Sequence, residues 1–186
     1  MSKKYKYQNP QVIYFSTCTV MGWVDVFTKD IYRDVIIDSL RYCRKHKGLE
    51  VIGYVIMSNH IHLLIRSEGK NLLSETMRDF KRHTARQIML RIESDLSFGY
   101  ESRKNWMLRL FSFYGMRKGN TPKYHFWQEG DHPKEIQDED MLYQKLEYIH
   151  LTPVRGGWVC QPEDFRYSSA GYYQGFVSDI LEVRAV

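Results

Sequence analysis

His60-Ile61-His62 sets two imidazoles two residues apart. In an extended strand alternate side chains share a face, so this pair can converge on one divalent ion while Ile61, Leu63 and Ile65 point the other way. Neutral ring nitrogens ligate such ions well, and a rigid strand is a sound place to hold two of them. Two unrelated histidines on a sheet surface give the same spacing, so the pattern by itself leaves both readings open. Tyr148 is the second candidate. It is one of 14 tyrosines, and most tyrosines serve packing or surface roles. Yet Tyr148 and Thr152 lie one helical turn apart, with Met141 and Gln144 extending their stripe, whereas Leu142, Leu146 and Ile149 form a separate apolar stripe. That arrangement directs the Tyr148 hydroxyl, a potential nucleophile, away from the core. Third, Arg78, Arg82 and Arg86 recur at steps of four with Lys81 beside them. Such a face suits phosphate binding, and equally suits plain solvation opposite a core stripe.

The elements that must position these residues alternate strand and helix. Gln11 to Thr19, rich in Val, Ile, Tyr, Phe and Thr, predicts a first strand. Asp30 to Lys47 predicts a helix that stops at Gly48. Val51 to Met57 and His60 to Ile65 read as adjacent antiparallel strands joined by the turn Ser58-Asn59. Leu73, Met77, Phe80, Thr84 and Ile88 mark a second helix, with Asn71 available as its cap. Tyr124 to Gln128 reads as a fourth strand. A third helix begins near Asp138, whose acidic neighbours suit a helix N-terminus, and ends at Thr152 because Pro153 follows. The stretch Glu93 to Lys123 mixes aromatics with Arg103, Lys104, Arg109, Arg117 and Lys118, and reads as a mobile or inserted element. Trp106, Tyr124 and Trp127 beside its basic residues can stack on unpaired bases or fill the core. The order β-α-β-β-α-β is that of a ferredoxin-like sandwich. The fold class expected is therefore α+β, with an added C-terminal helix carrying the tyrosine. No repeat or linker divides the chain, so one domain is expected over 1–186, with a core near 12–152 and an extension over 153–186.

Composition narrows the function classes. Hydrophobic residues make up 43% and charged residues 26% of 186 positions, the range of an ordinary globular domain rather than a disordered or membrane-spanning chain. A net charge of +5 favours polyanionic partners, although placement of the charges decides. Cys18, Cys43 and Cys160 are far apart and form no Cys-x-x-Cys pair, which points to reduced thiols and a cytoplasmic protein. Lys3, Lys4 and Lys6 precede an apolar stretch interrupted by Ser16, Thr17, Thr19 and Asp25, so neither a secretory signal nor a membrane span is expected.

Taken together, three ordered stretches resemble the single-tyrosine HUH transposases, the IS200-like family, and within it the REP-associated tyrosine transposases. Tyr54-Val55-Ile56-Met57-Ser58-Asn59-His60-Ile61-His62-Leu63-Leu64-Ile65 is similar to the HUH signature. Tyr148-Ile149-His150-Leu151-Thr152-Pro153-Val154-Arg155-Gly156-Gly157-Trp158-Val159 resembles the tyrosine helix and the run that closes it. Pro162-Glu163-Asp164-Phe165-Arg166-Tyr167-Ser168-Ser169-Ala170 looks like the tail of REP-associated members, and Met77 to Arg82 and Phe126 to Gly130 fit the same subgroup. The resemblance implies that Tyr148 attacks a phosphodiester of single-stranded or hairpin DNA, leaving a 5′-phosphotyrosine link and a free 3′-hydroxyl. It implies a magnesium or manganese ion held by His60 and His62, while DNA contacts from Arg78, Lys81, Arg82 and Arg86 are expected from the basic stripe itself. It allows a monomer or a homodimer. One position departs: where the family carries Gln or Asn four residues after the tyrosine, this chain carries Thr152, a shorter and weaker donor. A hydroxyl can ligate an ion, but three alternatives stay open: Thr152 coordinates through a water, another group does so, or the site is impaired; His150 is set on the other side of the helix. Two rivals follow. One is a hairpin-DNA-binding protein with impaired catalysis. The other is a metal-dependent phosphodiesterase that adds His125, Glu129 or His132 to the histidine pair and uses water as nucleophile.

Overall fold

The computed structural model describes residues 7, 9, 12–69, 71–94, 101–117, 123–176 and 180–185. Strand β1 (Tyr14–Thr19) leads through a 3-10 turn, Met21–Trp23, to helix α1 (Asp30–Lys47). Gly48, at φ +66°, closes α1 in the left-handed conformation that glycine adopts most readily. Strands β2 (Leu49–Ile56) and β3 (His60–Ser67) form the predicted hairpin, and α2 (Leu73–Glu93) follows. The remaining elements are α3 (Lys104–Met116), β4 (Lys134–Glu135), α4 (Glu139–Arg155) and the short α5 (Ala170–Tyr173). The antiparallel sheet has the order β2-β3-β1-β4, the ferredoxin-like arrangement that the sequence predicts. Gln11, the expected start of β1, lies outside the described residues.

Register and alternation assign the two faces. Thr17 pairs with His62 and Thr19 with His60, so Phe15, Thr17, His60 and His62 share the face toward α4. Tyr14, Cys18, Ile61, Leu63 and Ile65 take the opposite face and are buried in the main core with Ile36 and Leu40 of α1 and Met77, Phe80 and Ile88 of α2. Leu142, Leu146 and Ile149 of α4 are buried as their stripe predicts. Gly53 makes that docking possible: a Cβ there would stand 2.7 Å from Leu146 Cδ1.

Four local expectations need correction. The fourth strand is not Tyr124–Gln128. Phe126 and Trp127 are consecutive and both buried, so the segment lacks the period of two that a half-buried strand requires. Trp127 makes only an isolated bridge to Val20. Left-handed Gly130 and His132 then break the run before Lys134–Glu135 rejoins β1. Asn71 does not cap α2: its side chain donates to Lys47 O at 3.1 Å, and Leu72 occupies the cap position without a side-chain bond. The tyrosine helix runs past Pro153 to Arg155. Backbone bonds from Gly156 to Thr152 O, Gly157 to Val154 O and Trp158 to Pro153 O close that last turn, with Gly157 at φ +72°. Its N-terminus is as expected, with Asp138 accepting from Met141 N at 2.7 Å. Finally, the stretch read as mobile or inserted contains α3, anchored by buried Met107 and Phe111. Residues 95–100 and 118–122 of that stretch, Lys118 among them, lie outside the described residues.

The C-terminal extension covers the β2 edge. Ile56 N donates to Tyr167 O and Ser169 N to Tyr54 O, both at 2.9 Å, and Arg184 N donates to Val51 O. An unpaired edge strand is thereby protected.

Candidate active site

Strand β3 and helix α4 meet over His62. The rings of His60 and His62 are 4.7 Å apart by centroid, and the Tyr148 ring stands edge-on to His62 at 5.3 Å. Phe15 stacks against His62 at 5.3 Å and touches Tyr148 at 5.9 Å, forming an apolar floor beneath both. His62 is 5% exposed, whereas Tyr148 is 38% exposed, so the phenol lies at the opening of a cluster whose base is dry.

Hydrogen bonds orient both imidazoles. Asn59 Nδ2 donates to the carbonyl of Trp23 at 3.3 Å, a group that can only accept. Asn59 Oδ1 is therefore turned to His60 Nδ1 at 2.7 Å, which makes Nδ1 the protonated nitrogen and leaves Nε2 with a free lone pair. His62 Nδ1 is engaged by Thr17 Oγ1 at 2.8 Å; when the hydroxyl accepts from Nδ1, Nε2 keeps its lone pair for a ligand. Burial lowers the pKa of His60. Burial, reinforced by the neighbouring His60, lowers that of His62 to about 3. Both rings are thus neutral at physiological pH, the form that binds metal. Two adjacent neutral imidazoles on one face are a donor set that suits a divalent ion.

Thr152 lies on the Tyr148 face of α4, as expected, and its hydroxyl donates to Tyr148 O at 2.6 Å. This back-bond uses the proton and leaves the oxygen lone pairs. Among the described residues, no group of three or more His, Cys, Asp or Glu is arranged to hold a metal. His125, Glu129 and His132 are accordingly not gathered with His60 and His62. His150 points elsewhere, to Ser169 Oγ at 2.9 Å, as its offset predicts.

Two cations flank the tyrosine that the sequence reading passed over. Arg155 lies 5.8 Å from the Tyr148 ring centroid, and Lys145 lies 6.0 Å from it and 5.5 Å from Phe15. Their signal was present in the spacing: 145, 148, 152 and 155 follow one helix face. Phe15 and Thr17 had no such signal, because their place opposite His62 depends on strand register.

The basic stripe of α2 is on the other side of the sheet. Arg78 donates to Asp79 Oδ1, and the half-buried Lys81 donates to Asp131 Oδ1 at 3.1 Å and Gln128 O at 3.2 Å. Arg82 and Arg86 flank an apolar cleft that also includes Leu90, Tyr124 and Trp127. The fold does not bring this stripe to the histidine–tyrosine cluster.

Comparison with known proteins now decides the family. The model of the family described as Transposase IS200 like matches residues 17–113, just over half of the chain and including both histidines. The chain belongs to the IS200-like transposase family. Tyr148 lies beyond the matched residues. Among solved structures, a REP-associated tyrosine transposase bound to a REP hairpin is similar to this transposase at 18% identity with a TM-score of 0.62, over 100% of this chain and 96% of that one. This likeness is one of fold. A proposed transposase from Deinococcus radiodurans aligns at 17% identity with a TM-score of 0.44, over 80% of this chain and 95% of that one. No curated protein sequence matches the chain. Among the described residues, no helix is long and apolar enough to cross a membrane.

Proposed function

We propose that this transposase cuts and rejoins single-stranded or hairpin DNA with Tyr148 as nucleophile and a divalent ion held by His60 and His62. The observation that carries the reading is the packing of an accessible Tyr148 ring against His62 on one open face. The REP hairpin bound by the structurally similar REP-associated tyrosine transposase supports this choice of substrate class.

Lys145 and Arg155 lie beside Tyr148 where they can hold the scissile phosphate by its free oxygens. Tyr148 Oη attacks phosphorus and gives its proton to solvent, the bond to the 3′ oxygen breaks, and that oxygen takes up a proton from solvent to leave as a hydroxyl. A 5′-phosphotyrosine link remains, and attack by a 3′-hydroxyl reverses the step. Phe15 and the buried base of the site keep water from competing with that hydroxyl. Magnesium or manganese, when bound, supplies Lewis-acid polarisation of the phosphate. His60 and His62 would hold it through ring nitrogens, and the Thr152 oxygen on α4 would be the candidate third protein donor. Imidazole ligation favours manganese of the two. Of the α2 stripe, Arg78 and Lys81 are paired with Asp79 and Asp131, which leaves Arg82 and Arg86 as candidates for DNA contacts remote from the cleavage site.

The test is a labelled single-stranded hairpin library incubated with manganese and resolved on a denaturing gel. A covalent protein–DNA adduct is expected from the parent and is expected to vanish in Tyr148→Phe, a loss on the order of 10⁴ or more. An adduct that survives Tyr148→Phe overturns the assignment. The Thr152 back-bond favours a second reading, a hairpin-binding protein with weak metal affinity and silent chemistry. That reading is selected if binding is salt-sensitive, no adduct forms, and Thr152→Asn restores one.

A further inference from the structure

We propose that Trp23 is the stacking platform for an unpaired DNA base next to the phosphate that Tyr148 attacks. The inference rests on the single-strand reading above and names the group that positions the strand. Trp23 is 61% exposed, the indole standing edge-on to His60 at 6.4 Å, on the rim of the histidine pair. Its backbone is left-handed, at φ +57°, directly after Gly22 at φ +68°. A bulky aromatic is rarely held there, and glycine or asparagine would adopt the same turn with less strain.

The turn that displays the ring is anchored on every side. Trp23 N donates to Val20 O at 3.1 Å and Met21 N to Phe126 O at 2.7 Å. Asn59 uses one amide for two purposes, donating to the Trp23 carbonyl and orienting His60. At Gly22, Leu110 of α3 would stand 3.1 Å from an added Cβ. A strained residue that is both rigidly held and open to solvent points to use by a ligand rather than to packing.

The surface beyond the turn identifies the ligand as a nucleobase strand. Trp106 and Phe113 of α3 are exposed, and the Arg117 guanidinium sits over Phe113 at 5.4 Å from its centroid. They share the flank of α3 that carries Leu110, which touches Gly22. Aromatic faces interleaved with guanidinium accept bases and phosphates in turn, and are tolerant of sequence.

The experiment uses fluorescein-labelled oligo-dT, in a Tyr148→Phe background so that binding is read without cleavage. Trp23→Gly is expected to melt at or above the parent temperature because strain is relieved, yet to bind about ten-fold more weakly. It is also expected to lose the Trp23 share of the oligo-dT-induced quenching of tryptophan emission, read as the difference from the parent at saturating oligo-dT. Trp23→Tyr keeps a ring and is expected to bind within about three-fold of the parent. Trp23→Gly that binds and quenches like the parent overturns the proposal. So does a Trp23→Gly that melts several degrees lower without Trp23→Tyr recovering binding, since that assigns a structural role. If the parent itself ignores oligo-dT, this proposal and the single-strand reading fall together. Trp23-dependent binding without an adduct from the unsubstituted protein removes the transesterification reading alone.

Discussion

On the face of the sheet covered by α1 and α2, β1 and β3 contribute Tyr14, Cys18, Ile61, Leu63 and Ile65, all fully buried. On the face toward α4, the alternate positions of the same two strands carry Phe15, Thr17, His60 and His62. The first face is filled mainly by apolar packing, with Tyr14 and the buried Ser16 hydrogen-bonded at its edge. The second is kept partly open, and its side chains are held by specific bonds: Thr17 to His62, Asn59 to His60 and Trp23, and Gly53 making room for Leu146. One strand thus divides its residues between stability and chemistry by alternation, and the two roles should separate under mutation.

Within this comparison, the largest expected effect breaks the two faces apart at neighbouring residues. His62→Ala should lower manganese-dependent adduct formation by about 100-fold or more, since losing even a group that only supports a metal ligand costs about 10–100-fold, while the protein stays folded by circular dichroism. Ile61→Ala should cost about 2–5 kcal/mol in urea unfolding through the cavity it leaves, with adduct yield per folded molecule nearly unchanged. Equal losses of stability and activity in both variants would show that the faces are not functionally distinct.

A smaller effect is expected where α4 rests on the sheet. Gly53→Ala places a methyl within 2.7 Å of Leu146 Cδ1. Overpacking of this kind costs about 1–3 kcal/mol and should displace α4, carrying Tyr148 with it. Adding Leu146→Ala should return part of both stability and adduct yield, a coupling that a double-mutant cycle measures. Additive losses would mean that the contact does not position the tyrosine.

Much of this division was legible in the sequence. The hydrophobic period of β3 and the stripes of α2 and α4 placed Ile61, Phe80 and Ile149 in the core, and the two-residue and four-residue spacings put His60 with His62 and Tyr148 with Thr152. Three features were not legible, each for a physical reason. Phe126 and Trp127 look like a strand by composition, but tertiary burial of both overrides the alternation a strand needs. Pro153 ordinarily ends a helix, yet the Gly156–Gly157 closure carries this one a turn further. The pairing of Phe15 and Thr17 with His62, and the left-handed Trp23, depend on register and backbone dihedrals that residue types do not encode locally.

The smallest expected effect concerns how the open face is braced at its rim. Glu101 is buried just before α3 and receives Arg103 and Lys29, while Arg103 also donates to Asp25 O and Thr28 Oγ1, tying α3 to the segment after Trp23. Burial would raise the Glu101 pKa, but hydrogen bonds and charge from Arg103 and then Lys29 outweigh it and hold the carboxyl at about 2. A folded pKa below the unfolded value of about 4.3 means the stabilisation is complete above that value and is lost as pH falls toward 2. Solvent screening through the partly exposed Arg103 and Lys29 limits it to about 1 kcal/mol. Glu101→Gln should therefore lower the melting temperature slightly at pH 7 and flatten its decline between about pH 4.3 and 2 relative to the parent. An unchanged acid limb would show that the rim is braced by packing after all, and the contrast between the two faces would then stop at the histidines.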